Sequence, residues 1–207
     1  PQEVIDAQAR FYLQDNANPL RGLYDLAAEA TSLYENARGL VSSFIGSKDP
    51  SEIVFTRNAT ESLNIAASMM EVKEGDSIVI TVSEHHSNLL PWQRLAKRTG
   101  AELVFLEPDG EGRIPPEEIR NKITGKTAVV AFAQVSNVWG VENPVKELIG
   151  RAKEVGAVTV VDGAQAVAHM KVDVQELDAD FFAFSGHKML SPMGIGVLEL
   201  TGAQLLE

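Results

Sequence analysis

The sequence predicts an α/β fold, in which a mostly parallel seven-stranded sheet carries helices on both faces. Seven short apolar runs recur along the chain, and amphipathic segments lie between most of them. The runs are apolar at consecutive positions, which is typical of strands buried on both faces of a parallel sheet. Amphipathic helices between such strands provide the crossovers that parallel pairing requires.

The helices are predicted from apolar residues spaced three and four positions apart. The clearest spans residues 25–45 and ends before Gly46, since glycine favours the left-handed turn that follows a helix. Its expected buried stripe is Leu26, Ala30, Leu33, Ala37, Leu40, Val41 and Phe44. Further helices are predicted at 60–70, 88–99, 115–123 and 144–155, and strands at 53–56, 78–82, 103–106, 128–132, 158–161, 181–184 and 196–200.

Length and composition indicate one globular domain, which we place at residues 1–207. The net charge of −11 argues against a nucleic-acid partner, because such a protein needs a basic face. No apolar run approaches the ~20 residues of a membrane span, and no signal peptide is evident at the start. The lack of cysteine fits a reducing cytoplasm. The chain does not begin with Met, so we expect it to start inside a longer protein.

Polar clusters follow the apolar runs, and in parallel sheets ligands bind beyond the carboxyl ends of the strands. Asp162 and Lys188 end two successive predicted strands, 26 residues apart. Pyridoxal 5′-phosphate (PLP) chemistry needs a lysine amine for the cofactor aldehyde and a carboxylate near the pyridine nitrogen. The alternatives are a turn or cap role for Asp162 and a solvated surface position for Lys188.

Two clusters could hold a phosphate. Ser185 and His187 flank Gly186 in one turn, where hydroxyl, imidazole and backbone N–H groups could bind an anion. Ala59 and Thr60 begin a predicted helix, whose N-terminus favours negative charge. The alternatives are an ordinary polar turn and ordinary helix capping.

Three other polar segments are open to more than one interpretation. His85 and His86 are adjacent and point in different directions, so we expect no metal between them. A planar imidazole stacked on a planar cofactor is the better functional interpretation, and a structural histidine is the alternative. Gln165 and Asn137 could bind a ring oxygen or be ordinary loop amides.

Together these segments resemble the class V aminotransferase family, and within it the cysteine desulfurases and selenocysteine lyases. The resemblance depends mainly on two segments, Val160-Val161-Asp162-Gly163-Ala164-Gln165-Ala166 and Phe184-Ser185-Gly186-His187-Lys188-Met189-Leu190. Supporting segments run from residue 16 to residue 198 in the same order as in the family.

The resemblance implies the large domain of a fold type I PLP enzyme that releases sulfur or selenium from cysteine or selenocysteine and leaves alanine. It also implies a homodimer and a sulfur-acceptor protein. Lys188 would hold the cofactor, Asp162 would pair with the pyridine nitrogen, and His85 would stack on the ring and move protons. Gln165 would contact the ring hydroxyl oxygen. Thr60, Ser185 and His187 would hold the phosphate, beside Ala59, with Asn137 near the cofactor or the substrate carboxylate.

The resemblance also implies parts outside these residues: an N-terminal arm, and a C-terminal small domain with a carboxylate-binding arginine and the persulfide-forming cysteine. Leu20, Ser191 and Met193 depart from the residues common in the family. Two alternatives stay open. The parent could be another class V enzyme, such as an aminotransferase, epimerase or kynureninase-like lyase, or the fragment could be a non-catalytic binding module.

Overall fold

Seven strands form one sheet at the centre of the protein, which a computed structural model describes for residues 1–22 and 24–201. In chain order they are β1 (Ile53–Thr56), β2 (Ser77–Thr81), β3 (Glu102–Leu106), β4 (Thr127–Ala133), β5 (Val158–Asp162), β6 (Phe181–Ser185) and β7 (Gly196–Leu200). Every strand expected from the sequence is present, and its ends lie within about one residue of the predicted positions. The predicted end of the domain, at residues 202–207, lies outside the described residues.

The strands are ordered β1-β7-β6-β5-β4-β2-β3 across the sheet. Strands β2 to β6 pair in parallel, whereas β7 runs antiparallel to both of its neighbours, β6 and β1. The prediction of a mostly parallel, seven-stranded sheet is therefore confirmed.

Helices connect the strands and flank the sheet. They are α1 (Gln2–Arg10), α2 (Asp25–Ile45), α3 (Ala59–Met69), α4 (His86–Thr99), α5 (Pro116–Lys122), α6 (Val145–Val155) and α7 (Val174–Leu177). A π-helical turn at Phe11–Asp15 continues α1, and 3-10 turns occupy Pro50–Glu52 and Gly186–Met189. Helix α1 was not expected from the sequence. Within residues 1–22 and 24–201, none of the helices combines the length and the apolar character needed to cross a bilayer.

Apolar side chains pack in two layers, one on each face of the sheet. Helices α3 and α4 contribute Leu63 and Trp92 to one layer. Helices α2, α5 and α6 contribute Ile45, Ile119 and Leu148 to the other. Burying an aliphatic side chain of this size contributes about 1.5–3 kcal/mol, so these contacts hold the helices firmly against the sheet.

Helix α2 buries only part of the stripe predicted for it. Its bounds and its left-handed end at Gly46 are as expected. Of the predicted residues, Ala30 is buried and Val41 packs against the core, whereas Leu40 and Phe44 are 72% and 56% exposed. Ala27 and Ile45, which were not predicted, are buried as well. The spacing that predicts a helix does not fix which apolar residues meet the sheet.

The connections from β2 and β4 leave the sheet on opposite faces. Helix α4 follows β2 on the face that also carries α3, and α6 follows β4 on the other face. The carboxyl ends of β2 and β4, which are neighbours in the sheet, therefore form a topological switch point. Open α/β sheets bind their ligands beyond the strand ends at such a switch point.

Candidate active site

A cavity of about 200 Å³ lies beyond the carboxyl ends of β5 and β6, beside the N-terminal ends of α3 and α4. The predicted site residues on its wall are Ala59, Thr60, His85, Asp162, Ser185, His187 and Lys188. The wall also includes Asn58, Ser87 and Ala164. Polar residues from distant parts of the sequence converge here because the carboxyl ends of parallel strands meet at one edge of the sheet.

Asp162 is the last residue of β5, and only 5% of its surface is exposed. Its Oδ1 atom accepts a hydrogen bond of 2.9 Å from the backbone N–H of Ala164. Burial raises the pKa of Asp162 above its ordinary value, while the Ala164 bond and the charges of Lys188 and His85 act in the opposite direction. Lys188 and His85 are therefore close enough to Asp162 to interact with it electrostatically. A protonated ring nitrogen placed against this carboxylate would compensate its buried charge.

The turn that follows Asp162 packs closely against β6. A Cβ atom added at Gly163 would lie 2.0 Å from Cζ of Phe182. The N–H of Gly163 donates a hydrogen bond of 2.8 Å to the carbonyl of Ala183 on the same strand. Glycine at this position lets the turn lie against the Phe182 ring, which places the Ala164 N–H next to Asp162.

Lys188 lies in the 3-10 turn directly after β6 and is half-buried. Strands β5 and β6 are neighbours, and Asp162 is paired with Ala183 in the ladder. The turn therefore brings Lys188 to the same cavity as Asp162. An amine and a carboxylate on one cavity wall can act on the same ligand, which is the juxtaposition that PLP requires.

His85 is exposed and caps the N-terminus of α4. Its Nδ1 atom accepts a hydrogen bond of 3.1 Å from the backbone N–H of Ser87 and lies 2.9 Å from the Ser87 hydroxyl. A backbone N–H can only donate, so Nδ1 carries the lone pair and the neutral ring carries its proton on Nε2. The cap thus sets which nitrogen of His85 can donate a proton.

The N-terminal end of α3 forms another part of the cavity wall. The N–H of Ala59 donates a hydrogen bond of 2.8 Å to the Ser185 hydroxyl, and Asn58 Oδ1 accepts one of 2.9 Å from the N–H of Glu61. A Cβ atom added at Gly196 would lie 2.5 Å from the Cα of Asn58, so glycine permits this helix end to lie against β7. Asn58 is therefore the N-cap of α3, so the ordinary helix capping considered as an alternative is present.

Two predicted residues lie away from this wall. Within the described part of the chain, neither Asn137 nor Gln165 lines the cavity; Asn137 is exposed and Gln165 is half-buried. Their contacts with a cofactor stay predictions.

The sequence interpretation assigned no role to Ser87 or Glu84. The Ser87 hydroxyl lies 2.7 Å from that of Thr60, so it connects Thr60 to His85. Glu84 is buried three residues after the end of β2 and interacts electrostatically with Asp162. The available signal in the sequence was a carboxylate in the polar segment that follows this apolar strand, next to His85.

The cavity at the edge of this mostly parallel sheet brings together an amine, a carboxylate and an imidazole. These groups suit an α/β protein that binds an anionic cofactor covalently. The sequence model of the family "Aminotransferase class-V" matches residues 1–205, and the chain belongs to this family. The resemblance inferred from the sequence is thereby confirmed. Members of the family are PLP enzymes.

Curated relatives and solved structures agree with this assignment. The chain is 49% identical over 205 residues to a probable cysteine desulfurase of Streptomyces coelicolor, an alignment that covers 96% of this chain and 49% of that relative. The apo structure of the cysteine desulfurase from Thermococcus onnurineus NA1 matches with a TM-score of 0.93 and 46% identity, over 98% of this chain and 51% of that one.

A structure of SspA in complex with cysteine matches with a TM-score of 0.88 and 27% identity, over 98% of this chain and 58% of that one. The chain spans about half the length of the curated relatives it matches.

Proposed function

We propose that this chain is the PLP-binding large domain of a cysteine desulfurase, which takes sulfur from L-cysteine, or selenium from L-selenocysteine, and leaves L-alanine. One observation carries the proposal: Asp162, Lys188 and His85 share a cavity with Ser185 and the first turn of α3. The likeness to cysteine desulfurases over nearly the whole chain supports the reaction class.

The donor set of the cavity fits PLP. When bound, PLP supplies an electron sink for negative charge at the substrate α-carbon. Asp162 is a buried carboxylate that can hold a protonated ring nitrogen. Ser185, Thr60 and His187, with the N-terminal end of α3 at Ala59, can hold the phosphate. We keep Gln165 and Asn137 as further contacts, to the ring oxygen and to the cofactor or substrate carboxylate.

Two side chains of the cavity can move protons. Lys188 Nζ would hold the cofactor, and as a free amine it could take and return a proton at the substrate carbon. His85 carries its proton on Nε2 when neutral, because Nδ1 accepts from the Ser87 N–H. It could therefore donate from Nε2 to a group above the cofactor ring.

Desulfuration also needs a thiol. The substrate sulfur would pass to an enzyme cysteine as a persulfide, and the thiol proton of that cysteine would end on the alanine product. None of the 207 residues is cysteine, so the activity is proposed for the whole protein, with the thiol and the small domain outside these residues.

We further propose a homodimer, a sulfur-acceptor protein and a cytoplasmic location. The exposed side chains of Leu190 and Met193, close in sequence to Lys188, support a subunit contact near the site. The persulfide must leave the enzyme in each cycle, which supports an acceptor protein. The cysteine-free sequence fits a reducing compartment.

The test is to incubate the full-length protein with PLP and L-cysteine and to measure alanine and persulfide sulfur. Equal amounts of both are expected. Lys188→Ala should lower the rate by at least about 10³-fold, because the attachment point and the proton carrier are both lost. Lys171→Ala is the matched control, since Lys171 is exposed and does not line the cavity; it should keep the parent rate. If the parent forms no alanine, the assignment is wrong.

A further inference from the structure

The side chain of Glu84 bridges the ends of β2 and β4. It follows the end of β2, and its Oε1 accepts hydrogen bonds from the Thr81 hydroxyl at 2.5 Å and from the backbone N–H of Ala133 at 3.0 Å. Thr81 is the last residue of β2 and Ala133 the last of β4. One carboxylate therefore joins the two strand ends at the point where ligands of such sheets bind.

The second oxygen of Glu84 completes a buried chain of hydrogen bonds. Oε2 accepts a bond of 2.7 Å from Asn88 Nδ2, and Asn88 Oδ1 accepts one of 2.8 Å from Trp92 Nε1. Indole N–H can only donate, so Trp92 fixes the orientation of Asn88 and directs its NH₂ group at Glu84. Glu84, Asn88 and Trp92 are all buried.

The hydrogen-bond donors around Glu84 require a carboxylate rather than an amide at this position. The Ala133 N–H and the Asn88 NH₂ group are donors that cannot reverse, and they approach opposite oxygens of Glu84. A glutamine would direct its own NH₂ group at one of them in either orientation, so one donor would lose its acceptor.

The same carboxylate lies close to the residues assigned to the cofactor. His85 is the next residue in the chain, and Ala133 is paired with Asp162 in the β4–β5 ladder. Burial raises the pKa of Glu84 to about 7, and the charge of Asp162 acts in the same direction against three hydrogen bonds. The other charged groups that act on Asp162 are Lys188 and His85. The carboxyl groups of Glu84 and Asp162, near the ends of β2 and β5 on either side of β4, therefore interact electrostatically with each other.

We propose that Glu84 is a positioning residue of the cofactor site, which joins the ends of β2 and β4, sets the places of His85 and Asp162, and in its ionised form adds negative charge near the site. The inference rests on the proposed function, because it concerns the same cavity. Glu84 itself does not line that cavity, so it acts through its neighbours.

The experiment uses the full-length protein and PLP as the probe. Apo parent, Glu84→Gln and Glu199→Gln are titrated with PLP by absorbance, and the bound cofactor is trapped with borohydride and mapped by mass spectrometry. Glu199→Gln is the matched control, because Glu199 is also a buried carboxyl with a raised pKa but lies near the other end of β7. The visible absorbance of the bound cofactor is then recorded against pH.

We expect PLP trapped on Lys188 by borohydride in the parent and in both variants. For Glu84→Gln we expect PLP binding about tenfold weaker, because one of the buried donors to Glu84 loses its acceptor and the strand ends shift. We also expect the midpoint of the absorbance change to move down by about one pH unit, since removal of an anion makes protonated groups nearby more acidic. Glu199→Gln should match the parent in both measurements.

Two results would overturn the inference. Parent-like affinity and midpoint in Glu84→Gln would show that Glu84 contributes stability alone, whereas absence of PLP on Lys188 in the parent would remove the proposed function as well. If Glu84→Gln does not fold, the same two measurements on Glu84→Asp test the inference. It keeps the charge and shortens the reach, so weaker binding at the parent midpoint is expected, and parent-like affinity refutes the positioning role.

Discussion

Glu199 allows a quantitative test of how this fold treats a buried carboxyl group. It lies on β7, is 2% exposed, and its Oε2 has no hydrogen-bond partner within the described residues. Burial raises its pKa from the ordinary 4.5 to about 8, and the neighbouring carboxyl of Glu52 adds to the effect. We predict that Glu199→Gln is more stable than the parent at alkaline pH.

The sign and size follow from proton linkage. The folded state holds this proton more tightly than the unfolded state, so the contribution of Glu199 to stability is fully present below about pH 4.5 and declines until about pH 8. Each pKa unit is worth ~1.4 kcal/mol, so the decline amounts to about 5 kcal/mol. Glutamine has nearly the same shape and cannot ionise, so the variant should not show this decline.

The assay is urea denaturation of both proteins at about pH 5 and about pH 9, followed by tryptophan fluorescence. The difference in free energy of unfolding between variant and parent should rise from near zero to several kcal/mol. Glu84 is present in both proteins, so its titration cancels. Glu71→Gln, at an exposed position, is the control and should show no such rise. A difference that stays constant between the two pH values would refute the reasoning.

Two further predictions concern the N-terminal end of α3, and urea denaturation measures both. Gly196→Ala places a Cβ atom 2.5 Å from the Cα of Asn58, so it should lower the free energy of unfolding by about 2–3 kcal/mol. Gly150→Ala, where no atom lies within 4 Å of the new Cβ, should cost nothing; equal effects would contradict the steric argument. Asn58→Ala removes the side chain that accepts from the Glu61 N–H and should cost about 1 kcal/mol. Asn58→Asp keeps an acceptor and should restore most of that loss, and failure to do so would exclude capping as the cause.

Much of the fold could be predicted because the strands are buried on both faces. Apolar runs such as those of β4 and β5 leave few alternatives to a central parallel strand, and their carboxyl ends must meet at one edge. The convergence of Asp162, Lys188 and His85 follows from that rule together with the order of the strands. The cavity residues were therefore accessible from sequence.

Other features depend on packing that spacing does not encode. Helix α2 buries the predicted Ala30 together with Ala27 and Ile45, which the spacing did not indicate, and it leaves the predicted Leu40 and Phe44 exposed. The role of Glu84 depends on its hydrogen bond to Ala133 of β4. Strand β4 is the neighbour of β2 in the sheet, although β3 lies between them in the sequence. The distances of Asn137 and Gln165 from the cavity depend on loop paths, for which the sequence offers no periodic signal.

The place of β1 in the sheet has a consequence for protein synthesis. Strand β1 lies at the edge beside β7, the last strand, and the Ala59–Ser185 bond joins residues 126 positions apart. At ~5–20 residues per second, a ribosome needs roughly 10–30 s to pass from β1 to β7. During that time β1 has no strand to pair with, and the N-terminal end of α3 has no hydroxyl to bind. A nascent chain arrested between residues 186 and 195 would present β6 as an uncovered edge, the kind of strand that pairs with other chains and needs a chaperone.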